Sequence, residues 1–119
     1  MAAPNIVGVT NILGSTDVLA VTTTATNIVA NTAGSGKVLK INNLVVANID
    51  GTNAADITAS LYRGAVEYKI AHTITVPADA SLVVISKETA IYLEEGDAIR
   101  LTASANGDLQ AVCSYEEIS

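Results

Sequence analysis

Phenylalanine and tryptophan are absent from this sequence, and four tyrosines supply all of its aromatic surface, 3% of the residues. One buried aromatic side chain covers roughly 150–250 Å². Without them a core must be assembled from Val, Ile, Leu and Ala, and half of the residues are hydrophobic. Such a core is thin per residue, and burial between subunits is its natural compensation. Cysteine occurs once, at Cys113. No intrachain disulfide can form, and synthesis in a reducing cytoplasm is expected. Basic residues are also scarce: six Lys and Arg stand against twelve Asp and Glu, a net charge of −6. That balance excludes the Lys/Arg clusters that nucleic-acid phosphates call for, and it argues equally against an anionic membrane. "MAAPNIVGVTNILG" has no basic segment and no long apolar run, so neither a signal peptide nor a membrane span is expected.

What is present is alternation. The 119 residues suit one domain, 1–119, able to bury roughly two-thirds of its unfolded surface without a metal or disulfide staple. In "DITASLYR", Ile57, Ala59 and Leu61 share one face. "AIRLTAS" aligns Ile99, Leu101 and Ala103, and "DLQAVCSYE" aligns Leu109, Ala111, Cys113 and Tyr115. "VTTTATNIV" is rich in β-branched residues and reads as a strand. No window sustains an amphipathic helical period. Turn signals fall at 14–16, 33–37, 50–56, 63–67, 77–81, 94–97 and 105–108. Asn106-Gly107 is the strongest hairpin signal and pairs the last two runs through a two-residue type I′ turn. In "KVLKINNLVVAN" the apolar phase passes through Leu39 and Ile41 and resumes at Leu44 and Val46, so the extra Asn marks a β-bulge. "IVANTAGSG" and "VVANIDGTN" echo each other as two similar strand-to-turn junctions. The expected fold is all-β: a single antiparallel sandwich, jelly-roll-like or Ig-like, of about eight strands. Residues 1–10 form either an extended arm or its first edge strand.

Each candidate reactive constellation in the sequence has a plain alternative. "AGSGKV" imitates a phosphate loop but has Asn31 for the first Gly and Val38 after Lys37 where Ser or Thr would bind magnesium, so it reads as a flexible hairpin. Asp50, Asn53 and Asp56 offer oxygen ligands without the spacing or the closing Glu of a calcium loop. His72, the only histidine, has no neighbouring nucleophile. Cys113 alternates with apolar residues and reads as a small buried side chain. Glu94/Glu95 and Glu116/Glu117 are adjacent pairs whose members point to opposite faces of a strand, unlike a glycosidase dyad. No catalytic, metal or cofactor-binding residue is assigned, and no cofactor is expected. Four Tyr without Trp give a glycan-binding module little support.

The segment from "GKVLKINNLVVAN" through "ADITASLYRG", "VPADASLVVI" and "LEEGDAIRLTASA" to "SYEEIS" resembles small virion structural proteins of tailed bacteriophages, especially cyanobacterial phages. The resemblance covers about residues 37–119. It implies a non-enzymatic β-sandwich on the virion, most simply a capsid decoration (cement) protein bound to the major capsid protein or other virion proteins. A neck, tail or fibre component is the first alternative, and a receptor- or glycan-binding module the second. It also implies a homo-oligomer, with a trimer favoured because decoration proteins commonly sit on local three-fold axes. The apolar residues Ile6, Val7 and Val9 of the "MAAPNIVGV" segment are the candidate interface anchors.

Overall fold

The computed structural model describes residues 6–119, which form nine strands: β1 (Ile12–Ala20), β2 (Thr26–Ala30), β3 (Val38–Asn48), β4 (Ala55–Arg63), β5 (Val66–Val76), β6 (Ser81–Ile85), β7 (Ile91–Leu93), β8 (Ala98–Ala103) and β9 (Leu109–Ile118). Two short 3-10 turns, Ile6–Gly8 and Lys87–Thr89, are the only helical elements among the described residues. One antiparallel sheet has the order β1-β9-β3-β6, with β7 also on β3, and the other has the order β2-β8-β4-β5. The chain changes sheet at every connection except β4–β5 and β6–β7. That is jelly-roll winding; an Ig-like sandwich keeps its strands in different partnerships.

The alternation deduced from the sequence sets the core. Ile41, Leu44 and Val46 of β3, Leu109, Ala111 and Cys113 of β9, and Ile85 and Leu93 face Ile57 and Ala59 of β4 and Ile99, Leu101 and Ala103 of β8; all are buried. Leu61 and Tyr115 pack against this cluster at its margin. The bulge lies where the sequence placed it, since the β3–β9 register shifts between Ile41 and Asn43. At the same level the neighbouring edge is broken. β6 pairs with β3 from Leu44 to Ala47 and β7 from Leu39 to Ile41, so the two are halves of one strand interrupted at 86–90. Counted that way, eight strands become nine.

Several connections differ from the sequence reading. β8 and β9 do not pair as a hairpin; they belong to different sheets. Gly107 has φ 85°, but Asn106 is not among the positive-φ residues, so the type I′ requirement fails. Instead the Asn106 side-chain oxygen accepts the Thr23 N–H at 2.9 Å, and the Asp108 carbonyl accepts the Ile49 N–H at 2.7 Å, binding this crossover to two others. The two-residue hairpin turn is Gly64-Ala65, with φ 59° and 62°, closing β4 onto β5. Residues 14–16 are not a turn but the interior of β1. "VTTTATNIV" is not one strand: Thr22 Oγ1 accepts the Thr24 N–H and donates to the Thr24 carbonyl, diverting the backbone at 21–25. "AGSGK" is a crossover between sheets, not a hairpin.

The sequence echo has a physical meaning. Asn31 directly follows β2 and Asn48 ends β3, and both are 3% exposed. The Asn31 amide donates to the carbonyls of Lys37 (2.9 Å) and Leu93 (3.0 Å), and its oxygen accepts from the Ser35 hydroxyl at 2.6 Å. The Asn48 amide donates to the carbonyls of Asn53 (3.0 Å) and Val76 (2.9 Å), and its oxygen accepts the Asp50 N–H at 2.9 Å. Each Asn therefore ties its own crossover loop to the end of a strand distant in sequence. The backbone repeats the theme, Asn31 bonding to residues 96 and 97 and Asn48 to residue 80. Buried carbonyls left unpaired here would each be costly.

Candidate interaction surface

Of the residues singled out for chemistry, the structure brings together Gly36 and Lys37 of the "AGSGKV" loop with Glu95 and Glu117, and Asp50 with Asn53; the others are dispersed. Asp50 accepts the N–H groups of Thr52 (2.7 Å) and Asn53 (3.0 Å), and these bonds, Asn53 first, hold its carboxyl below the usual range. Asp56 instead accepts the Thr75 hydroxyl at 2.8 Å. Among the described residues no group of three or more His, Cys, Asp or Glu is arranged to hold a metal ion. His72 is exposed on β5 beside Thr73. Cys113 is wholly buried, and burial, helped by the charge of Asp17, pushes its thiol up to about 12. Thiolate chemistry at neutral pH is thereby disfavoured. The acidic pairs are split between separate partners. Glu94 meets Arg63 at 2.8 Å, Glu95 accepts the Gly36 N–H at 2.9 Å, Glu116 accepts the Asn42 amide at 3.3 Å, and Glu117 meets Lys37 at 3.1 Å. The tyrosines are likewise dispersed. Tyr62 lies under the Arg100 guanidinium, while Tyr68, opposite Leu61, points to the other side of the same sheet. Tyr92 is in the other sheet, and Tyr115 donates its hydroxyl to Asp17 at 3.1 Å.

The outer faces of the two sheets are where the molecule becomes specific. On the β2-β8-β4-β5 sheet most outward residues are polar, and those around Glu67 and Arg100 are bonded to one another. Glu67 is the hub: it accepts from Lys69 at 3.1 Å and Ser60 at 3.2 Å and lies 4.0 Å from Arg100. The Lys69 bond is the main reason its carboxyl lies below the usual range. Arg100 also donates to Asn27 at 3.1 Å and stacks 3.5 Å above the Tyr62 ring.

On the β1-β9-β3-β6 sheet the register aligns Val18, Val112, Val45 and Val83 in one row across all four strands. Val18 is 74% exposed, Val83 58% and Val112 42%, with Val45 half-buried between them. The row on one side is Ala20–Gln110–Ala47–Ser81, and on the other Thr16–Ser114–Asn43; none of these side chains is charged. Charge returns only in the next row, Gly14–Glu116–Lys40–Tyr92, as one acid beside one base. A groove of about 420 Å³ adjoins the β1–β9 end, lined by Val18, Leu19, Ala20, Gln110, Ala111 and Val112. An apolar row exposed to water and rimmed by polar side chains makes this face the candidate contact surface. The sequence reading missed these residues. The available signal was "LVVA" and "SLVVI", where valines occupy the phase that should be polar.

Of the anchors deduced from the sequence, Ile6 and Val7 lie in the Ile6–Gly8 3-10 turn and Val9 follows it. Val7 is 96% exposed and Val9 half-buried. Within the described part of the arm, Ile6–Gly8 is a 3-10 turn, and β1 begins at Ile12. Residues 10 and 11 fasten it to the C-terminal residue: the Thr10 and Asn11 N–H groups donate to the Ser119 carbonyl at 2.9 and 3.0 Å, and Ser119 returns a bond to Asn11. Residues 1–5 of the arm lie outside the described residues.

No protein-family model and no curated protein sequence matches the chain. Among solved structures it is similar to a chain from the work described as "Bacillus endospore appendages form a novel family of disulfide-linked pili", with a TM-score of 0.53 and 16% identity, over 100% of this chain and 96% of that one. At that identity the likeness shows a shared fold, the two-sheet β-sandwich.

Proposed function

We propose that this chain is a non-enzymatic structural protein that works by assembly, and that its place is the virion of a tailed bacteriophage, as a decoration protein on the head. The observation that carries the assembly reading is the uncharged valine row on the outer face of one sheet. A side chain exposed there adds little to the monomer and loses water only when another surface covers it. The scattered acids, the exposed histidine and the buried thiol favour a role without chemistry. The likeness to a chain from pili supports a structural role, though a disulfide link has no exposed thiol here, Cys113 being the one cysteine and buried. Jelly rolls recur in viral capsid proteins, an analogy of fold alone.

The virion itself, the major capsid protein as partner and the threefold arrangement come from the sequence resemblance. On this reading each subunit bridges neighbouring capsid proteins, and the added buried area stabilises the shell by mass action. The Ile6, Val7 and Val9 segment would add to that bridge; deleting residues 1–9 leaves the sandwich folded and weakens binding to particles. The direct test is isotope-labelled peptide quantification in purified heads and tails. Copies in heads at a fixed ratio to the major capsid protein support decoration. Presence in tails alone overturns it in favour of a neck, tail or fibre component, and absence from particles overturns the virion reading.

A further inference from the structure

The two sheets end in four edges: β1 and the β6/β7 strand in one, β2 and β5 in the other. An open edge offers unpaired N–H and C=O groups to any other strand unless it is short, bulged, interrupted or charged. Three of the four are protected in one of these ways. β2 is five residues long with a register shift between Asn27 and Val29. β5 has register shifts on either side of the Ala59–Ala71 pair, a positive φ of 46° at Thr73, and Glu67 and Lys69 along its length. The β6/β7 edge is broken at 86–90, and β6 carries a further register shift.

β1 has no bulge and no break, and its one charge is Asp17, whose carboxylate already accepts the Tyr115 hydroxyl at 3.1 Å. The strand is nine residues long, keeps one unbroken register with β9 from Ile12–Ile118 to Ala20–Gln110, and contains no Pro, Lys or Arg. Two of its side chains sit against the usual polarity of the sandwich. Asp17 lies on the inner side opposite Cys113, where it accepts the Tyr115 hydroxyl, while Val18 stands outward in water. Ile12 and Leu13 are more than half exposed as well.

We propose that β1 pairs antiparallel with β1 of a second copy of this chain, about a twofold axis at Thr16. The strand is complementary to itself in that register. On the outer face Val18 would lie opposite the partner's Gly14, and Ile12 opposite the partner's Ala20, so a large side chain meets a small one each time. On the inner face Leu13 would lie opposite the partner's Leu19, and Asp17 opposite the partner's Ser15, whose hydroxyl can donate to the carboxylate. The two Asp17 side chains are then diagonal neighbours, roughly 7–8 Å apart. Joining the edges merges the two β1-β9-β3-β6 sheets into one and doubles the length of the outer face that carries the valine row. One strand pair buries well under the roughly 1,600 Å² of a standard interface. The contact is therefore weak between dilute subunits and becomes important where copies are concentrated on a common support. This deepens the assembly reading and does not depend on which particle, or which other symmetry, supplies the support.

The test is cross-linking of the full chain. Thr16→Cys places two thiols directly opposite across the axis, and mild oxidation with glutathione disulfide is expected to convert most of it to a covalent dimer. Ala33→Cys, in an exposed crossover, reports random collision, and circular dichroism confirms that both variants fold. Val18→Cys alone should behave like that control, whereas Val18→Cys combined with Gly14→Cys should cross-link. Asp17→Asn, which removes the diagonal repulsion, should raise the dimer fraction in concentrated solution several-fold by sedimentation. Cross-linking of Thr16→Cys no faster than Ala33→Cys overturns the proposal, as does efficient cross-linking by Val18→Cys alone. Either failure leaves copy numbers in particles untouched, so the edge contact and the assembly reading fail separately.

Discussion

The two sheets of this molecule bury the same kind of side chain inward and differ outward. On β2-β8-β4-β5 the exposed face is closed upon itself: Glu67 joins Lys69, Ser60 and Arg100, and Arg100 joins Asn27 and Tyr62. On β1-β9-β3-β6 three successive rows carry no charge, and four valines span the sheet. A satisfied polar network is content in water. A valine row is not, and its benefit is realised only on contact. The same asymmetry recurs at the edges, where β5 is bulged and carries Glu67 and Lys69, and β1 is straight, with Asp17 as its one charge. On the assembly reading proposed above, function resides in this difference between surfaces.

Substitutions should therefore separate into those that change stability and those that change association. The largest effect is expected at Asn48, which sits in β3 and bonds through its side chain to Val76 of the other sheet. Asn48→Ala unpairs the carbonyls of Asn53 and Val76 and should cost roughly 2–4 kcal/mol in urea unfolding. Next comes alkaline pH, which acts on the apolar sheet from within. Cys113 and Tyr115 both lie on β9, and burial pushes their groups from 9.0 and 10.0 up to about 12. The folded state then keeps protons that the unfolded chain gives up, so stability is unaffected below pH 9 and falls between about pH 9 and 12. Urea midpoints at rising pH should show this decline, and Cys113→Ala should flatten it. Arg100→Ala, which removes the stack on Tyr62 and the reach to Glu67, should cost about 1 kcal/mol and leave association unchanged. Smallest in stability is Val112→Thr, within about 0.5 kcal/mol because the site is on the surface. Its effect should appear as weaker binding to particles or to other copies.

Much of the architecture was legible because strand periodicity is written locally. The inward faces of β4, β8 and β9 and the bulge at Asn42–Asn43 follow from which positions are apolar. Sheet membership was not legible, because alternation gives a period and not a partner. Asn106-Gly107 has the composition of a hairpin turn, yet its neighbours leave for different sheets, while Gly64-Ala65 closes the real hairpin with an alanine at positive φ. Gly14, Ser15 and Thr16 look like a turn and are held extended by pairing with Glu116, Tyr115 and Ser114. The repeated "VAN" was visible, but its meaning, a buried amide tying crossovers together, required the three-dimensional partners. The valine row is spread over four segments distant in sequence and exists only through register.

The most direct test of the central claim is amide hydrogen exchange, comparing dilute protein with concentrated or particle-bound protein. The β1 edge is predicted to change most: within residues 12–20 the alternate amides that point away from β9 should exchange rapidly when dilute and become protected on assembly. Those of β5, at the edge of the polar sheet, should exchange alike in both states. Protection that appears on β5 and spares β1, or assembly that slows neither, would contradict the account.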